Sequence, residues 1–408
     1  MGILTSMFTA VSGLSAYGNA MGVIGNNIAN VGTIGFKGSR ASFADLVSSN
    51  LVGGAGTDQV GLGVFLNDLQ GDFSQGALTT TGSVLDLAID GNGFFMVQSA
   101  AGQNMFTRNG QFRLDNQGRI VDANNYLLQG YQANSAGVIT TAIGNISMST
   151  TNRAPQATTT ANLRANLDAA ATVPAGAFNV SDPTTYNFST GLTIYDSLGQ
   201  SHQLQFYFVK TATANTWNLY SQLNSGAATV GANLVFNSTG ALTSGGTQNL
   251  SLAIGGGAAT PQNVAVDFTR LTQYGANSAL LDQTQNGFAA GSLTEFSIDS
   301  NGQLLAQYSN GQSQLLAQLV LTRFPNPQGL ARLGNNVFSP TAESGTAIQG
   351  SPSSNGLGRI ISGAIEQSNV DLGEEFVDMI ITQRAFQANS RAITTSDEML
   401  QELVNLKR

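Results

Sequence analysis

Two stretches at opposite ends of this chain repeat apolar residues with a heptad period, and a helix built on either one leaves its seam without a partner. Near the C-terminus, Leu372, Met379, Phe386, Ile393 and Leu400 share one heptad position, with Phe376 and Val404 at the complementary one, so a long helix is expected from about Val370 onward. The other complementary positions hold Gln383, Ser390 and Asp397. A seam strong at one position and patchy at the other argues against a dry two-stranded zipper and for packing into a larger helical assembly. Thr395 and Glu398 have the spacing of a capping box, yet Ile393 and Leu400 keep the heptad phase across it, so one continuous helix is expected.

At the N-terminus, Leu4, Met7, Val11, Leu14, Met21 and Ile28 follow the same three-four spacing, interrupted where Gly18 and Gly25 occupy seam positions. Lys37 is the first charged residue. Gly13, Gly18, Gly22 and Gly25 each cost a helix about 1 kcal/mol relative to alanine, so this segment is not expected to be stable alone in water. Among neighbours the same glycines permit close backbone approach, and the missing charges remove a desolvation cost. Both helices are therefore read as one assembly element, with the thirteen seam residues from Leu4 to Val404 named above as its interface.

Composition removes most other functions. Of 408 residues only 10% are charged, and the formal charge of −8 speaks against nucleic-acid and anionic-membrane partners. There is no cysteine, and His202 is the one histidine, which leaves almost no route to a metal site or an imidazole-dependent triad. No window supplies the roughly 18 apolar residues of a membrane-spanning helix, and the first residues lack the basic stretch of a cleaved signal peptide, so export is expected to retain the N-terminus. Cofactors are expected to be none.

Between the helices the signals are β. Gly32 and Gly35 end the first helix, and residues 31–71 read as an extended connector with short strands. Turns are expected between the apolar runs at 88–95 and within 112–120, and the second pattern recurs at 296–304. That recurrence suggests one β domain split by an insert. The organisation is mainly β with long terminal helices, nested: 1–30 with 366–408 as a terminal helical domain, 72–147 with 286–365 as the split β domain, and 148–285 as an inserted β domain. Within the insert, Tyr195-Asp196-Ser197-Leu198-Gly199 turns the chain into the run at 203–209. The Asp-x-x-Gly turns at Asp115 and Asp299 lack the later acidic ligand of a calcium loop and are read as plain turns. Asp86 and Asp90 as a glycosidase pair have no second motif to place a sugar, so no catalytic residue is assigned.

Ala10-Val11-Ser12-Gly13-Leu14, the stretch Asn26 to Val31 with Thr33-Ile34-Gly35-Phe36-Lys37, and Gln383 to Ser390 together resemble the bacterial flagellar rod and hook axial proteins. The Tyr195–Gly199 segment with His202, and the presence of the insert, resemble the hook proteins more than the shorter distal rod protein, which is the runner-up. The resemblance implies a structural subunit of a curved tube that passes motor torque from rod to filament. It further implies helices lining an export channel, a middle shell from the split β domain and an outer surface from the insert. The implied partners are other copies of the chain, the rod, the hook cap, the hook-filament junction and the flagellar type III export apparatus, with an extracellular location. A secreted β-domain adhesin that merely oligomerises through its helices is the competing class.

Overall fold

The computed structural model describes residues 2–46, 49–50, 59–134, 137–148 and 152–405. Helix α1 spans Gly2–Ala29 and helix α2 spans Leu372–Asn405. The first ends in a run of turns that reaches Gly35, whose φ of 68° a side chain would resist. The second begins at Asp371, whose carboxylate accepts the Gly373 and Glu374 N–H groups, and Glu374 and Glu375 add negative charge where the helix dipole favours it. It runs unbroken through Thr394–Asp397, since the Thr394 and Ser396 hydroxyls bond back to Arg391 and Ala392 carbonyls instead of freeing the backbone. No helix among the described residues is long and apolar enough to cross a membrane.

The chain forms two compact units. The first comprises 1–149, 296–306 and 314–408, and the second 150–295 with 307–313. In the first unit, within the connector expected to hold short strands, Ser39–Asp45 pairs antiparallel with Val64–Gly71, with a bulge between Ser42 and Phe43. This ribbon runs along α1, where Ser12 Oγ accepts the Val64 N–H at 3.1 Å and Tyr17 packs on Phe43 with ring centroids 5.5 Å apart.

The β part of the first unit is organised around Phe94–Gln98. Its alternate side chains enter two cores, Phe95 and Val97 one and Phe94 and Met96 the other, so the run reads as continuously apolar. The expected hairpin at Arg113–Leu114 and Ile120–Val121 forms. The turn after Leu87–Asp90 forms too, but the runs it joins do not pair with each other. Leu87–Asp90 pairs instead with Arg359–Ser362, a distant segment whose match no local turn signal announces.

The second unit holds two sheets around one core. Phe188–Tyr195 and Ser201–Lys210 form the expected hairpin, and Thr216–Leu223 continues it into a six-stranded sheet. Thr160–Asp168 centres a five-stranded one. Trp217, Phe206, Phe208 and Phe268 are fully buried between them, and the Trp217 indole N–H donates to Gln273 Oε1 at 3.1 Å. The chain stays in this unit as far as Glu295, where Arg153 stacks over the Phe288 ring at 4.3 Å.

Candidate assembly interface

The two terminal helices pack antiparallel, as four contacts at matched spacing show. Ser6 Oγ meets Ser396 Oγ at 3.4 Å, Gly13 faces Asn389, Gly18 faces Phe386, and Asn27 Nδ2 donates to Glu375 Oε1 at 2.8 Å. The buried face of α1 is Ala10, Gly13, Ala16, Ala20, Ile24 and Asn27, mostly small residues at helical spacing. A Cβ on Gly13 would lie 2.8 Å from Asn389 Oδ1, so an alanine here would push the Asn389 amide aside. Gly22 and Gly25 face open space within the protomer.

This packing redistributes the expected seam. On α2, Met379, Phe386, Ile393 and Leu400 are half-buried, but Leu372 is exposed, and Phe376 and Val404 stand 50% and 70% exposed. The complementary row facing α1 is Glu375, Thr382, Asn389 and Ser396, one residue earlier than the Phe376–Val404 row. On α1, Met7, Leu14, Met21 and Ile28 are half-buried while Leu4 and Val11 are exposed. Small residues bring the helix axes close, and the large apolar ones are turned outward. Phe8 on α1 and Val377, Ile380 and Ile381 on α2, outside the heptad reading, join the exposed set at 68%, 55%, 49% and 58%. A heptad search favours the largest apolar residues and so misses a face built from alanine and glycine.

Where both helices enter the β part, a buried charge cluster joins the strands. Lys37 Nζ lies 2.6 Å from Glu366 Oε1, and Arg108 Nη1 lies 3.3 Å from Glu366 Oε2, all three side chains essentially inaccessible. Glu366 also accepts the Gly76 N–H, and its carbonyl accepts the Gly35 N–H. Burial lowers the Lys37 and Arg108 affinities for their protons against the pull of Glu366. Beside it, Asn27 bonds the Ser39 backbone in both directions, and Asn369 accepts the Gly38 N–H while donating to the Asp72 carbonyl. Burial raises the Glu375 carboxyl; its Asn27 bond opposes this, and Asp378 and Glu374 add to it. Lys37, the lone charge between Phe36 and Gly38, was the sequence signal for this cluster.

Asp90, Asp115 and Asp299, weighed above for catalysis or metal binding, serve turns or ion pairs, and so does Asp196. Asp115, Asp196 and Asp299 each accept two backbone N–H groups of their own turns. Asp196 also meets His202 Nε2 at 2.9 Å. Burial pushes Asp196 up, but the His202 and backbone hydrogen bonds outweigh it and hold the carboxyl below its ordinary value. Asn224 Oδ1 takes the Gln203 N–H, so its amide donates to His202 Nδ1 at 3.1 Å, which places the imidazole proton on Nε2. Asp90 pairs with Arg359. Among the described residues no group of three His, Cys, Asp or Glu could hold a metal ion.

Four regions match known families: residues 7–37 the flagella basal body rod protein, 88–181 the flagellar hook protein FlgE/F/G D1 domain, 166–288 the flagellar basal body protein FlaE D2 domain, and 361–406 the flagellar basal body rod FlgEFG protein C-terminal region. The chain is 40% identical to the flagellar hook protein FlgE of Salmonella typhimurium, over 98% of this chain and 100% of that one. It is 39% identical to that of Escherichia coli, over 98% and 99%, and 34% identical to that of Treponema pallidum, over the full length of both. Among solved structures, a Helicobacter pylori flagellar hook protein FlgE2 superposes with a TM-score of 0.54 at 14% identity, covering 69% of this chain and 98% of that one, a likeness of fold.

Proposed function

The chain belongs to the flagellar hook protein family, and on that premise we propose that its terminal helices are the polymerising element of a curved tubular hook while its β units set how the tube bends. As a hook subunit it is a structural protein of the flagellum, and it transmits torque from rod to filament. We further propose that it works without catalysis or cofactor, and outside the cell. Its partners beyond itself are then the rod, the hook cap, the hook-filament junction and the flagellar type III export apparatus.

One observation carries the assembly role. The protomer's own helix contact is made by small and polar residues, and it leaves Leu4, Phe8, Val11, Phe376, Val377, Ile380 and Ile381 outward. Each is about half exposed, so covering all of them is worth on the order of 5–10 kcal/mol at about 1.5–3 kcal/mol per fully buried large apolar side chain. Association costs roughly 4–15 kcal/mol. The two ranges overlap, so a single pairwise contact through this set is marginal, and the set fits a subunit that meets several neighbours at once, as in a head-to-tail lattice that does not close. The nested organisation supports assigning the helices to the channel wall, the split β domain to a middle shell and the insert to the exterior. Gln383 and Asp397, exposed beside the seam, suit a wet channel or a neighbour. A glycine-rich α1 that is marginal alone suits passage through a narrow export pore before ordering.

Removing residues 1–30 tests this reading. The shortened protein should keep the thermal transition of its second unit and lose polymerisation and motility. Tubes formed by the shortened protein would refute the assembly role of α1.

A further inference from the structure

The exposed surface of α2 carries charge as well as apolar residues, and the two signs are segregated on it. Glu374 and Asp378 stand in its first turns on the flank that lines the cleft beside α1 and the ribbon, and Arg384 and Arg391, one heptad apart, follow on the outward side with Val377, Ile380 and Ile381. All four charged side chains are exposed, and among the described residues none of them is in an ion pair. First-turn acids answer the helix dipole, which accounts for Glu374 but reaches Asp378 only weakly. Both acids line a cleft of 650 Å³ between α1, the ribbon and α2, whose nearest cation, Arg40, bonds Gln70 instead.

If α2 is packed into a helical layer, these charges lose water and need opposite charges. A neighbouring α1 cannot supply them, because residues 1–36 contain no charged side chain. In the helical layer, the described cations able to do so are Arg384 and Arg391 of another copy. We propose that the acidic flank of α2 docks against the outward, arginine-bearing face of α2 of a second copy, parallel and displaced along the axis, so that Glu374 and Asp378 of one copy meet Arg384 and Arg391 of the next. The separations along the helix set the displacement at about 15–20 Å at 1.5 Å per residue. Ile381, which borders both faces and lines the cleft, is covered by the same contact. Each copy offers its acids to one neighbour and its arginines to another, so the contact propagates and does not close. This inference rests on the assembly role of the terminal helices and adds the register of one of their contacts.

The test is a charge swap in the full-length chain. Glu374→Lys with Asp378→Lys, and separately Arg384→Glu with Arg391→Glu, should each raise the concentration needed for polymerisation by about tenfold or more. All four substitutions together should return it to within about threefold of the unaltered chain. The neutral variant Glu374→Gln with Asp378→Asn keeps the register testable if a reversal unfolds the helix, and a rise of about threefold is expected from it. Reversals that polymerise normally, a four-fold swap as impaired as its halves, or a swap that yields closed dimers would overturn the inference while leaving the assembly role standing. Failure of the unaltered chain to polymerise would remove both.

Discussion

Trp217 and Phe206 lie at zero exposure in a core that the second unit closes by itself, whereas Phe8 and Ile381, of comparable apolarity, stand more than half exposed on the terminal helices. Both regions hold large apolar side chains, and the arrangement of side-chain size separates them. In the second unit large residues alternate along strands and meet across two sheets, so apolar surface is consumed inside one protomer. In the helix pair small residues occupy the shared face, and large ones point away from it. A region that completes its core is indifferent to neighbours; a region that leaves its core unfinished is defined by them.

The comparison can be broken at its strongest points first. Glu366→Ala would leave Lys37 and Arg108 buried without a counter-charge, and a loss of about 3–5 kcal/mol is expected. It should lower the unfolding transition of the first unit alone. Trp217→Ala should cost about 3–5 kcal/mol through the cavity it leaves, and it also strips Gln273 Oε1 of its donor. Its effect should fall on the second unit, with polymerisation intact below that unit's transition. Calorimetry of both variants separates the cases, and a common shift of both transitions would mean that the two regions do not fold independently. A smaller effect sharpens the helix side. Gly22→Ala meets nothing within 4 Å and should raise the stability of α1 by about 1 kcal/mol. Gly13→Ala pushes on Asn389 and should lower it by about 1–3 kcal/mol. Helix content of the unassembled protein followed by circular dichroism should move in opposite directions for the two.

What the sequence revealed follows from the range of the interactions involved. Both long helices and the hairpins at Arg113–Val121 and Phe188–Lys210 are encoded by heptads and by turn residues a few positions apart. The face that α1 buries was hidden because alanine and glycine give no hydrophobic period. The Lys37–Glu366 pair bridges 329 positions, so nothing local identifies its partner. The same holds for the strand Leu87–Asp90, whose true neighbour at Arg359–Ser362 lies on the far side of the insert. Of the seam, the row Met379–Leu400 was legible because helix α2 does turn it toward α1; Phe376 and Val404 fall on the open side because the facing row is Glu375, Thr382, Asn389 and Ser396.

Amide hydrogen exchange of the full-length protein before and after polymerisation tests the central claim most directly. The account predicts that amides of α1 and of the first half of α2 exchange much faster than those of the Trp217 core in the unassembled chain, and gain strong protection in the polymer while that core does not change. Helices as protected as the core before assembly, or still fast-exchanging after it, would contradict the view that the terminal helices are left unfinished for their neighbours to complete.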